Sequence, residues 1–168
     1  MWSRNSVIQA AVRPASGDWQ APLDISPPGE PADSARLAVD GEGNVTVVWP
    51  GNGVPASIRP PSGRFGAPEQ LVPGEHAFEP AVAVNATGAT VVLWTHGGTG
   101  GELKAIYRPA GGSFGPAQDV TQAGLYFYET QLAVDPRGHA LATWTAKLGA
   151  NHDPPGVIQA ADYQSITG

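Results

Sequence analysis

The thirteen residues LAVDGEGNVTVVW (37–49) return as VAVNATGATVVLW (82–94) and again as LAVDPRGHALATW (132–144). A repeat of this kind constrains the fold more than any local propensity. Every copy must take up the same structure, and a single copy is too small to bury its own apolar face. Other stretches extend the repeat. RPASGDW (13–19) matches RPPSGRF (59–65) and RPAGGSF (108–114), and VIQAA (7–11) returns at Val157 to Ala161. Trp2, Trp49, Trp94 and Trp144 mark the period, at intervals of 47, 45 and 50 residues.

Each unit reads as four strands. Strand A of the first is VIQAAVR, ending at Arg13. Strand B is DWQAPLDI, strand C is RLAVD and strand D is NVTVVW. Pro14 and Gly17 make the A–B turn, since Pro presets φ and Gly accepts positive φ. Between C and D stands Asp40-Gly41-Glu42-Gly43, echoed by Asn85-Ala86-Thr87-Gly88 and Asp135-Pro136-Arg137-Gly138. An Asx residue opening the turn and a Gly closing it predict a type I turn with a Gly bulge. The C strands are apolar at successive positions (Leu37-Ala38-Val39, Val82-Ala83-Val84, Leu132-Ala133-Val134), as a strand covered on both faces should be. Four-stranded units covered on both faces and recurring every 45–50 residues predict an all-β β-propeller. The Trp ending strand D is expected to pack between its blades. A β-trefoil, also built from three four-stranded units, is the alternative.

The units, RPxGG-W/F followed by LAVDxxGxxxxxW, resemble repeats of secreted multi-repeat proteins from high-GC Gram-positive bacteria. The likeness spans Val7 to about Ala161. It implies propeller-like blades and a secreted or cell-surface location, and no assigned chemistry accompanies it. The Asp-box order of sialidases is not met, so no enzymatic role follows from that side.

Composition narrows the class. At 168 residues the chain forms one repeat domain, with units at about 7–50, 54–95 and 102–145 and an extra strand at 157–163. A chain of this size buries roughly 70% of its unfolded surface. A net charge of −6 and the lack of any basic cluster argue against nucleic acid and anionic membranes as partners. No apolar run reaches the length of a membrane span, and the start MWSRNSVIQA lacks a signal-peptide layout. The absence of Cys excludes disulfides and thiolate metal sites.

Segment lengths separate two ends of the molecule. The A–B and C–D turns are near-copies, whereas the D–A connections vary in length and the B–C loops vary in chemistry (GEPADS, GEHAFE, GLYFYE). In antiparallel units D–A and B–C emerge together, so recognition is expected on that varied end. Its richest patch is Tyr126, Phe127, Tyr128 and Glu129, suited to stacking on sugar rings or anchoring a protein; the rings would equally fill gaps between loops. Glu75, His76, Phe78 and Glu79 form the equivalent loop, with Glu79 aligned to Glu129 and to Ser34. His96 and His152-Asp153 lie at the same end. A metal site needs three or four convergent ligands, and none is predicted; no cofactor motif is present. Arg13, Arg59 and Arg108, ending strand A at the constant end, are expected to pair with neighbouring turns.

These features predict a non-catalytic recognition or scaffold module that binds glycan or protein. A propeller glycosidase or lyase with carboxylates at the channel mouth, or a purely structural array, are the alternatives. Three units and one extra strand fall short of a closed ring, so completion by a homo-oligomer, a dimer first, or by a larger propeller is expected.

Overall fold

The computed structural model describes residues 1–29, 32–97, 100–147 and 156–163. Their regular structure is entirely β. The strands are β1 (Trp2–Arg4), β2 (Val7–Ala10), β3 (Leu23–Asp24), β4 (Arg36–Val39), β5 (Val45–Val48), β6 (Gly51–Asn52), β7 (Pro55–Arg59) and β8 (Glu69–Gln70). They continue with β9 (His76–Val84), β10 (Thr90–His96), β11 (Glu102–Arg108), β12 (Gln118–Asp119), β13 (Tyr126–Val134), β14 (Ala140–Lys147) and β15 (Val157–Tyr163). Four antiparallel sheets result, with orders β1-β2-β3 (sheet I), β4-β5-β7-β8 (II), β12-β11-β10-β9-β6 (III) and β13-β14-β15 (IV). No helix among the described residues is long and apolar enough to cross a membrane.

The sheets are offset from the sequence repeats. Strands C and D of one unit pair with A and B of the next, as β9 and β10 pair with β11 and β12. The surplus strand is therefore the third strand of sheet IV, where β15 pairs with β14 from Ala140↔Tyr163 to Ala146↔Val157. At the other end, Trp2 begins a D-strand remnant paired with strand A (Trp2↔Gln9).

Sheets meet face to face through three separate cores. Ile8, Ala10 and Ile25 of sheet I pack with Val47 and Trp49 of sheet II. Val54, Ala56 and Val72 of sheet II pack with Val92 and Trp94 of sheet III. Leu93 and Leu103 of sheet III pack with Phe127, Ala142 and Trp144 of sheet IV. The recurrent Trp thus packs between sheets, as its period implies. The C strands are less uniform than their composition suggests. Val82 and Leu132 pack into the core toward the preceding sheet, but the aligned Leu37 is half exposed, as is Val39. Sheet I has no C strand among the described residues to cover them.

The C–D turns take the expected form. Gly43, Gly88 and Gly138 have φ of 87°, 90° and 91°, a region that penalises any Cβ. Asp40 Oδ1 accepts hydrogen bonds from the N–H groups of Glu42 and Asn44, and Asn85 and Asp135 repeat the pattern. The turns are also tied to one another. Gly41 N–H donates to the Ala86 carbonyl at 3.1 Å. Asn85 Nδ2 donates to the Asp135 carbonyl at 3.0 Å. The Asn85 amide accepts locally and donates outward at once, which an ionised carboxylate at that position could not do.

Of the strand-A arginines, Arg108 leans on the turn beside it. Arg108 Nη2 donates to Thr90 Oγ1 at 2.8 Å, and its guanidinium lies 5.3 Å from the centroid of the Phe114 ring. Burial lowers the Arg108 pKa, with Glu69 and Asp40 opposing. The RPxGG spacing follows from close packing: a Cβ on Gly112 would sit 2.7 Å from the Pro109 ring.

Partial burial works to raise the Asp40 pKa, but bonds from the Asn44 side chain and from the N–H groups of Asn44, Glu42 and Gly43 outweigh it and hold it below 3.8. At Asp135 slight desolvation is likewise outweighed, by the N–H groups of His139, Arg137 and Gly138 and by the His139 charge. A depressed carboxylate pKa contributes stability above its unfolded value, and that contribution is lost as pH falls through the folded value. Replacing Asp40 and Asp135 by Asn is therefore expected to flatten the loss of melting temperature below about pH 4. Asn85→Asp, which removes a buried donor and sets a charge against carbonyls, should cost about 1–3 kcal/mol in chemical denaturation at pH 7.

Candidate functional site

At the end where D–A and B–C connections emerge, the tips of sheets II, III and IV surround a cleft of about 1130 Å³. Ser34, His76, Phe78, Glu79, Tyr126 and Phe127 are among its lining residues, with the connections around Gly51, Gly74 and Gly97. Five of the residues singled out from sequence, His76, Phe78, Glu79, Tyr126 and Phe127, therefore share one cleft. Phe78 presents an exposed ring there.

A repeated distortion shapes the rim. In sheet III the register shifts so that Phe78 faces Thr95 and Ala81 faces Leu93, leaving Glu79 and Pro80 opposite Trp94. In sheet IV, Tyr128 faces Thr145 and Gln131 faces Thr143, leaving Glu129 and Thr130 opposite Trp144. Two residues against one is a β-bulge, which bends the strand and re-aims its side chains. Pro80 is tolerated because its missing N–H falls where the ladder is already interrupted. Glu79 and Glu129 sit at φ of 46° and 56°, and the aligned Ser34 at 46°. A left-handed conformation in a non-glycine residue costs on the order of 1 kcal/mol or more, and it persists only where its surroundings enforce it.

The aromatic cluster divides. Phe127 is buried, edge-on to Trp144 at 6.5 Å between centroids, and belongs to the core between sheets III and IV. Strand alternation puts Tyr126 and Tyr128 on the opposite face, half-buried, with rings stacked at 6.5 Å and 9°. Lys147 Nζ lies 5.6 Å from the Tyr128 ring centroid. Glu129 is exposed, and Thr145 Oγ1 donates to its Oε2 at 3.2 Å.

Glu75 and His96 belong to a different arrangement. Glu75 Oε2 stands 3.4 Å from His96 Nδ1, and its Oε1 stands 3.5 Å from Lys104 Nζ. Lys104 also reaches Glu102 at 3.5 Å and Asp119 at 3.6 Å, and its side chain is only 17% exposed. Burial alone would lower the Lys104 pKa, but Glu75, Asp119 and Glu102 together raise it. This cluster was not read from the sequence, though a signal exists. Lys104 aligns with Gln9 and Gln159, whose Oε1 atoms accept from the indole N–H of Trp2 and Trp144 at 3.0 Å. An ammonium has no acceptor, and Trp94 Nε1 is buried without a hydrogen-bond partner.

His152 and Asp153 lie outside the described residues. Among the described residues, no group of three or more His, Asp or Glu is placed to hold a metal ion. No family model matches this chain, and no curated protein matches it.

The Trp94 site yields a discriminating pair of variants. Lys104→Gln supplies the acceptor that sheets I and IV already have, and should stay within about 1 kcal/mol of the parent in urea unfolding. Lys104→Met abandons the three carboxylates gathered around the ammonium and restores no acceptor to the indole, and should cost about 1–3 kcal/mol.

Proposed function

We propose that this chain is a non-catalytic recognition module of β-propeller type, which binds a glycan or a protein segment in the cleft between the tips of sheets II, III and IV. One observation carries the reading. The connections that differ among repeats converge on this cleft, while the opposite end is laced by near-identical turns. A constant scaffold presenting varied tips is how recognition surfaces are commonly built. The cleft brings aromatic residues (Phe78, Tyr126) beside residues with hydrogen-bonding groups (His76, Glu79), a combination suited to sugar rings or an extended peptide. The strained Glu79 at its rim supports a functional use of the bulge. The likeness to repeats of secreted proteins supports a secreted or surface setting.

The test is binding to a panel of soluble polysaccharides, oligosaccharides and peptides, followed by calorimetry on any that bind. Phe78→Ala with Tyr126→Ala should weaken binding at least tenfold and leave the melting temperature nearly unchanged. Phe127→Ala, which empties a core position, should instead cost about 3–5 kcal/mol of stability. Glycan hydrolysis abolished by Glu79→Gln or Glu129→Gln would replace recognition with catalysis.

A further inference from the structure

Each of the three sheet-to-sheet interfaces uses the same positions. On the side facing the next sheet, the second residue of strand A is Ile8, Val54 or Leu103, and these are 1%, 0% and 0% exposed. The aligned residue of sheet IV is Ile158, at 80%. Beside it, Thr46 and Val91 are 2% and 3% exposed, and the aligned Leu141 is at 51%. On the side facing the preceding sheet, Trp49, Trp94 and Trp144 are 2%, 0% and 4% exposed, whereas Trp2 is at 42%. Phe65 and Phe114 pack partly buried against the cores, whereas the aligned Trp19 is 69% exposed.

Sheet IV therefore presents the surface that sheets I to III bury, and sheet I presents the surface that sheets II to IV bury. We infer that the two faces dock on each other between two copies of this chain, with sheet IV of one copy covering sheet I of the next. The occupant is a second copy because the contact continues an interface that the chain already makes three times with the same residue positions. The apolar residues at both ends are those that such an interface buries. Fusing the two end sheets into one is disfavoured, since β15 and β2 are each already paired within their own sheet. The contact is heterologous: a tail needs a head, so two copies joined at both ends close a ring, and copies that fail to close continue as a chain. Tyr126 and Tyr128 lie on this outward face of sheet IV, so the contact is tested at Ile158 and Trp19, which do not line the cleft.

Light scattering coupled to size exclusion, on the full chain over a range of concentrations, tests it. The expected result is a mass of twice 17.3 kDa or a higher multiple, rising with concentration. A monomer at every concentration overturns the proposal. Ile158→Asp disables the tail and Trp19→Asp disables the head, so each alone should weaken association by roughly 30-fold or more. Both residues are exposed in the single chain, and circular dichroism should show both variants folded. Mixed in equal amounts, the two variants should regain a species of twice the chain mass, through the one intact head and the one intact tail. An association that survives either substitution alone, or a mixture that stays monomeric, overturns the head-to-tail contact.

Discussion

The structure depends on one contact repeated three times: an indole from strand D of one sheet set in a cluster with the aliphatic residue that begins strand A of the sheet before it. Trp94 meets Val48 and Val54, and Trp144 meets Leu93 and Leu103. Among the described residues no sheet has more than five strands, several strands are only two residues long, and the inner sheets contribute apolar residues to a core on either side. Such a sheet has little stability in isolation. Emptying a buried Trp position typically costs about 3–5 kcal/mol, a large share of the 5–15 kcal/mol that holds a typical domain together. The cooperativity of the molecule thus resides between sheets rather than within them.

The two ends solve different problems with the same strands. At the turn end, local Asx geometry is shared by all three copies, and Asn85 in place of Asp adds a side-chain tie to the neighbouring turn. At the cleft end, the bulges opposite Trp94 and Trp144 turn the strand tips, and strain is retained at Glu79 and Glu129. The Lys104 cluster stands between these cases. It exchanges the Gln-to-indole bond of sheets I and IV for an ion-paired lysine, and Trp94 is left with an unmet donor.

What could be read in the sequence was what periodicity carries: the all-β class, the Asx-Gly turns, the packing role of Trp and the contrast between constant and varied ends. The offset between repeat and sheet could not be read, because a periodic sequence has no marked starting point. The bulges were hidden because Glu has no propensity for positive φ, so tertiary packing alone places it there. Tyr126-Phe127-Tyr128 looked like one exposed patch, but alternation along β13 sends the middle ring into the core. The continuous apolar run of strand C implied cover on both faces. At Leu37 that cover depends on a neighbouring strand that sheet I lacks among the described residues.

The offset between repeat and sheet also decides what a broken chain would do. A cut in a D–A connection falls between two strands of one sheet, so both fragments remain hydrogen-bonded along their length, as β10 and β11 are over seven residue pairs. A cut in a B–C connection falls between sheets, where side-chain packing and a few cross-sheet hydrogen bonds, such as that from Gly41 N–H to the Ala86 carbonyl, span the gap. Adjacent repeats are therefore stitched in the manner of overlapping roof tiles, and a nick at the length-varied connections leaves the assembly whole. Those connections are free to lengthen, shorten or be severed during the protein's history, while the B–C loops that frame the cleft are not.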